Sequence, residues 1–278
     1  MARIYTDTNV LRRFGSAFAD ADLPEDLQDR LVLSPLVVLE LASQLGTDGR
    51  GEAFAAFRSL RRVHDSAGIG MPLLPWSDDF FRISLFDLPQ RENTITPALT
   101  NLVLNVLDAA TAEHLRDEGI EARSMFEIMK GEADAVFSLL RDSVKSGGWP
   151  SEFEHRAKFA RCIARRAGFD EEKVDIDFVA KSLNAYYVFG NQRLRAAVGH
   201  HNYNIHKHSN DTVDEESLIY LAVPDLHFLT GDTGFRRVMT SSQADRVHIA
   251  DAARLGDAEY ASSVLRHIAQ ADDKWEAK

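Results

Sequence analysis

Apolar residues come in short bursts at both ends of this chain and recur at helical spacing through its middle. Near the start, Arg3-Ile4-Tyr5-Thr6 is β-branched and aromatic and predicts a buried strand, and Thr8-Asn9 ahead of VLRRF predicts a helix start. In LVLSPLVVLELASQL, Leu31 to Leu33 predict a second strand, Ser34 an N-cap and Pro35 the first helical position, where its missing N–H costs nothing. The helical pattern resumes through GEAFAAFRSLRRV. The stretch GIGMPLLPWSDD is turn-rich, and FFRISLFDLP after it reads equally as a strand or a short helix. From Pro97 to about Val198 the pattern becomes almost purely helical, in TNLVLNVLDAATAEHL, SMFEIMKGEADAVFSLL, EFEHRAKFARCIARRA and DIDFVAKSLNAYYVF. After HHNYNIHKHSN it alternates again: helix DEESLIYLAV, strand LHFLT, helix start DTGFRRVM, strand RVHIAD.

Both ends therefore share an α/β grammar, which a helical insertion explains better than two tandem domains. The expected organisation is an α/β domain built from residues 1–96 and 199–278, interrupted by an all-helical insertion at 97–198.

Composition narrows the setting. The chain has 278 residues, and 45% hydrophobic residues suffice for a packed core. No apolar run approaches the roughly 20 residues needed to span a bilayer, and the N-terminus lacks a basic segment followed by an apolar one, so no membrane association and a cytoplasmic location are expected. The single cysteine, Cys162, rules out disulfide stapling and reads as a buried, inert thiol. A formal charge of −11 disfavours coating of nucleic acid by bulk attraction but leaves room for a local basic groove. Carboxylates gathered to hold a divalent cation would contribute part of that charge.

Such carboxylates can be located. Asp7 falls where a strand ends and a helix begins, and in an open α/β sheet that carboxyl edge is where ligands bind. Glu40 is the only charge between Leu31 and Leu45. It sits in the second helical turn, and because helical side chains lean toward the N-terminus it would point back to the same edge. A helix of about ten residues from Asp214 spans roughly 15 Å, and the following strand covers about the same distance in return. Asp214 and Asp232 then finish at one edge, beside Asp7. Each has a plainer reading: Glu40 as a solvated outer residue, Asp214 as a dipole-compensating acid behind an Asp211 N-cap, and Asp232 as an N-cap for TGFRRVM. Four unpaired carboxylates at contact distance would repel, a penalty that a hard divalent cation removes. Oxygen-only ligation suits Mg²⁺ or Mn²⁺ rather than Zn²⁺, and such ions activate water and stabilise in-line displacement at a phosphodiester.

The stretches IYTDTNVL, LSPLVVLELAS, DEESLIYLAVPDLHFLTGD and RVHIAD resemble, in that order, the motifs of PIN-domain nucleases. The most specific element is the step from Asp214 to Asp232 with Thr230 two residues before the last acid. The resemblance covers about the first 65 residues and residues 210–251. It implies a three-layer α/β/α Rossmann-like domain with a central parallel sheet. It also implies a Mg²⁺/Mn²⁺-dependent phosphodiesterase, usually a ribonuclease, with Asp7, Glu40, Asp214 and Asp232 as catalytic metal ligands, Asp211 as an alternative or additional ligand, and Asn9 and Thr230 in support. RNA is the implied partner, with single-stranded DNA as the alternative polymer. The separation between Glu40 and Asp214 is far longer than in a compact PIN domain. The insertion that fills it offers a substrate-selecting lid, a homo-oligomer surface or a site for a protein inhibitor, as a toxin-like nuclease would need.

Other signals carry plainer alternatives. His200, His201, His206 and His208 read first as part of a polar connecting loop, with a metal site from His206 and His208 or a proton donor as the alternative. Among the arginine groups, most of which read as ordinary helix surface, Arg12, Arg13 and Arg236 follow acid-bearing turns and are the expected phosphate-binding residues. Tyr186, Tyr187 and Phe189 have the spacing of base-stacking aromatics and of a helix core. Two other functions compete. A haloacid-dehalogenase-like phosphatase is suggested by DTNVL, but Asn9 stands where that family expects a second aspartate as general acid. A non-catalytic scaffold binding RNA or protein through the insertion would reduce the acids to caps.

Overall fold

A computed structural model describes residues 2–18, 23–46, 73–91, 95–108, 112–199, 211–232, 235 and 243–271. The described chain is mostly helical and is organised around a small parallel sheet of β1 (Arg3–Thr6), β2 (Leu226–Thr230) and β3 (Val247–Ile249), in the order β1-β2-β3. Two isolated parallel bridges, Ile4 to Leu31 and Leu33 to Leu73, extend the pairing beyond β1. The expected second strand is therefore reduced to bridge positions, although Val32 N–H still donates to the Ile4 carbonyl at 2.9 Å.

The helices are α1 (Thr8–Ala17), α2 (Glu25–Gln28), α3 (Pro35–Ser43), α4 (Ser77–Phe86), α5 (Ile95–Asp108), α6 (Ala112–Gly147), α7 (Glu152–Ala167), α8 (Ile176–Ser182), α9 (Asn184–Gly199), α10 (Asp211–Ser217) and α11 (Ala258–Ala271). The ambiguous stretch FFRISLF is thus helical, in α4, which ends on Asp87 at φ 50°. The helix expected from Asp214 starts three residues earlier and tightens into a 3₁₀ turn over Leu218–Ala222. Pro35 opens α3 as expected, but the Ser34 hydroxyl makes no capping hydrogen bond.

Strand alternation explains the core. Ile4 and Leu229 point into one cluster with Val10, Phe14, Val38, Leu41, Leu265 and Ile268. Their neighbours Tyr5 and Phe228 point into another with Phe80, Phe81, Ile163, Leu183 and Tyr220. Successive strand residues face opposite ways and enter different clusters, so the short sheet uses every position, and β2 is buried throughout.

Helices from 97–198 enter both clusters. Leu102, Val103 and Val106 of α5 and Ala122 and Phe126 of α6 join the first, while Ala160 and Ile163 of α7 and Val179 of α8 join the second. Cys162 is on the outer face of α7 and exposed, which corrects the expected burial: its neighbours Ala160 and Ile163 take the inward positions. At 36 residues, α6 is about 54 Å long, and its outer face carries Ile128, Val136, Leu139 and Leu140, each more than half exposed. No helix among the described residues is long and apolar enough to cross a membrane.

Candidate functional site

Parallel pairing of β1 with β2 sends both strands to the same edge, where Thr6 faces Leu229 and the next residues are Asp7 and Thr230. Asp7 performs two tasks there. Its Oδ1 accepts from Val10 N–H at 2.7 Å, so it is itself the N-cap of α1. Its Oδ2 accepts from the Thr230 hydroxyl at 2.5 Å and from Gly231 N–H at 3.2 Å. The Thr230 hydroxyl in turn accepts from Asp232 N–H at 2.9 Å. A side chain at Gly231 would bring its Cβ to 2.9 Å from the Ala252 Cβ, so the turn that delivers this donor is closed to larger residues.

Glu40 reaches the same region from α3, where its carboxylate accepts a short hydrogen bond from the buried Thr8 hydroxyl. Burial pushes Asp7 above the ordinary carboxylate range. The hydrogen bonds from Thr230, Val10 and Gly231 pull it back, and the charge of Asp232 pushes it up again. Burial likewise raises Glu40. Thr8, Arg12 and Lys130 oppose that rise, and the charge of Asp7 adds to it. Asp7 therefore feels the charge of Asp232, and Glu40 that of Asp7.

Neither a family model, nor a curated protein, nor a solved structure matches this chain. The site is accordingly read from its own chemistry.

The fourth expected acid, Asp214, is half-buried on α10, a helix packed against α3. Among the described residues no group of three or more His, Cys, Asp or Glu side chains stands close enough together to hold a metal ion. An all-protein cage of four carboxylates is thus not assembled. The residues do fit a looser mode of binding, in which a hydrated Mg²⁺ or Mn²⁺ is held by one or two carboxylates and completed by waters and substrate phosphate. The buried Asp7 and the half-buried Glu40 are suited to it, because burial raises both, the charge of Asp7 raises Glu40 further, and a cation relieves these penalties.

Other expected residues are distributed as follows. Thr230 is fully buried and bonded to Asp7, while Asn9 and Arg13 are exposed at the start of α1 and Arg12 is half-buried. Asp211 opens α10. Arg236, His200, His201, His206, His208 and the arginines at 58, 61 and 62 lie outside the described residues. Tyr186, Tyr187 and Phe189 are turned inward: the Tyr186 hydroxyl donates to Glu216, that of Tyr187 to Glu152, and Phe189 stacks on Phe235.

Two arginines expected on helix surfaces are instead structural. Arg166 of α7 pairs with Asp78 at 2.8 Å and Glu216 at 3.0 Å. Arg193 of α9 is buried, pairs with Glu215 at 3.1 Å and approaches Asp134 at 3.8 Å. Glu215 and Glu216 directly follow Asp214, so helices of the insertion grip the segment that carries this acid. Thr8 and Lys130 were not expected at the site. Thr8 could have been suspected from its place beside Asp7, whereas nothing in the sequence around Lys130 marks it.

Proposed function

We propose that this chain is a Mg²⁺- or Mn²⁺-dependent endoribonuclease, hydrolysing RNA phosphodiester bonds at the edge that carries Asp7 and Asp232, with Glu40 beside Asp7. We read its core as a three-layer α/β/α Rossmann-like domain of the PIN type. The support comes above all from one observation: a carboxylate from the end of β1 is bonded to the Thr-Gly turn at the end of β2, and its charge acts on a second, half-buried carboxylate from α3.

In this reading Thr230 and Gly231 hold Asp7 in a single orientation, and Thr8 does the same for Glu40. Asp232, exposed at the rim, meets solvent and substrate. Asp214 on α10 joins as a further ligand when substrate and ion are present. A bound divalent ion would supply an activated water and offset charge developing on the phosphate. The protein's own residues bind the polymer, orient the carboxylates and exclude bulk water.

A second reading, a non-catalytic scaffold for RNA or protein, draws on the exposed apolar face of α6, which has the character of a surface that docks onto something. Thermal unfolding with and without Mn²⁺ separates the two. The nuclease reading expects Mn²⁺ to raise the melting temperature of the wild type and not of Asp7→Asn or Asp232→Asn, because ligand binding to the folded state stabilises it. A wild type indifferent to Mn²⁺ favours the scaffold.

A further inference from the structure

One face of α6 is packed and the other is bare. Phe126 enters the first core cluster, and Phe137 packs with Leu194 and Ala197 of α9. The Arg193 guanidinium of α9 lies 4.2 Å from the centre of the Phe137 ring and 3.8 Å from the Asp134 carboxylate. The outward positions between Glu127 and Leu140 fall in exposed pairs: 127 and 128, 131 and 132, 135 and 136, 139 and 140. Among them Ile128, Val136, Leu139 and Leu140 are 59%, 58%, 72% and 53% exposed, far beyond grazing contact with the body of the protein. A Cβ added at Gly131 would meet nothing within 4 Å, so the middle of this face is open as well.

Helical spacing makes these side chains one surface rather than scattered apolar residues. Ile128, Ala135 and Leu139 follow one another at i, i+7 and i+11, with Val136 and Leu140 in the adjacent row, over roughly 18 Å of helix. Charge then selects what can cover it. Glu127 and Glu132 flank the line from Ile128 to Leu139, and neither is ion-paired among the described residues. The cations of this stretch are engaged elsewhere: the Lys130 ammonium is 5.7 Å from the centre of the Phe126 ring, and Arg141 is paired with Asp142 at 3.0 Å. Nucleic acid or an anionic lipid surface would bring negative charge to the two glutamates. A second copy docked face to face would gather four of them from two chains of net charge −11. The complement of this surface is an apolar stripe with lysine or arginine on either side.

We propose that the outward face of α6 from Glu127 to Leu140 is the docking surface for a basic amphipathic helix of a partner protein. Apolar anchors of that helix, spaced i, i+3 or i+4 and i+7, lie over Ile128, Val136 and Leu139, and its cations reach Glu127 and Glu132. The opposite face of α6 is already fixed to α9 through Phe137 and Arg193, so the platform is formed before the partner arrives. Asp7 and Asp232 take no part in it, and the docking surface stands with either reading of their edge.

The test uses the full-length protein and three fluorescent peptides, read by anisotropy at physiological salt. One is a helical leucine–lysine peptide with its leucines on one stripe, the second carries glutamate in place of lysine, and the third is a scrambled leucine–lysine peptide without a stripe. The wild type should bind the striped lysine peptide saturably at one site and clearly prefer it to the other two. Ile128→Ser combined with Leu139→Ser should weaken that binding by about tenfold or more, because central apolar anchors carry most of an interface's energy. Glu127→Lys combined with Glu132→Lys should turn the preference toward the glutamate peptide, and Glu172→Lys, an exposed acid outside α6, should leave it unchanged. All of these side chains are exposed, so the variants should keep the wild-type melting temperature. No binding, equal binding of striped and scrambled peptides, or serine variants that bind as tightly as the wild type would overturn the proposal. A wild-type dimer in sedimentation that the serine variants break would assign the face to a second copy instead, and capture of neutral phosphatidylcholine vesicles would assign it to lipid.

Discussion

At the residue scale, Asp7 concentrates the argument, because one side chain caps α1, ties β1 to the turn after β2 and faces two other carboxylates. Thr230→Val keeps the shape and removes one donor to a buried carboxylate. It should cost about 1–3 kcal/mol in chemical denaturation, as expected for a buried acceptor that loses its partner. Position 7 was legible in sequence as a strand end followed by a helix start. Its bond to Thr230 was not, since the two lie 223 residues apart and only the strand register brings them together. Glu215 offers a separate prediction. Burial raises its carboxyl from 4.5 to about 7 despite Arg193, so the folded state binds more protons than the unfolded state between those values. Its stabilising contribution is complete below about 4.5 and is lost as pH rises through about 7. Relative to Glu215→Gln, the wild type should therefore lose melting temperature as pH rises from 4.5 to 7. His248 works in the opposite sense: burial lowers it from 6.5 to about 4, so its contribution is present above 6.5 and is lost as pH falls through about 4. In His248→Asn the acid-side loss of melting temperature should shrink.

At the scale of elements, the decisive arrangement is the grip on α10. Glu216 is held by Arg166 from α7 and Glu215 by Arg193 from α9, and a Cβ on Gly190 of α9 would come within 2.5 Å of the Glu215 carboxylate. The fit depends on a glycine at that position. Arg166→Ala strands Glu216 among buried neighbours and should destabilise the fold by on the order of 3 kcal/mol. Adding Glu216→Gln to that variant should restore part of the loss, and a double variant no better than the single would contradict the pairing account. Helix periodicity revealed α5 to α9 readily, because their apolar positions repeat every three to four residues. The strand at 31–33 was overread: its apolar run is real, but only isolated bridges form there. The start of α10 was placed late because Asp211 looked like a cap when it is the first helical residue.

At the scale of the molecule, the helical stretch from 97 to 198 does not keep to itself, since its apolar faces join both core clusters that the strands enter. That was invisible in sequence, where a helix shows which face is apolar but not whether its partner is a sheet or another helix. The convergence of Asp7 and Asp232 at one edge could be foreseen from strand and helix lengths. The contribution of Lys130 could not, since it depends on how α6 lies along α3. The account as a whole claims that this edge cuts RNA. The direct measurement is cleavage of fluorescent single-stranded RNA and DNA by the purified protein with Mn²⁺, Mg²⁺ or EDTA, beside Asp7→Asn. Metal-dependent cutting of RNA that vanishes in EDTA and in Asp7→Asn is the predicted result. Cutting of neither polymer by a folded wild type, or equal cutting by Asp7→Asn, would contradict it.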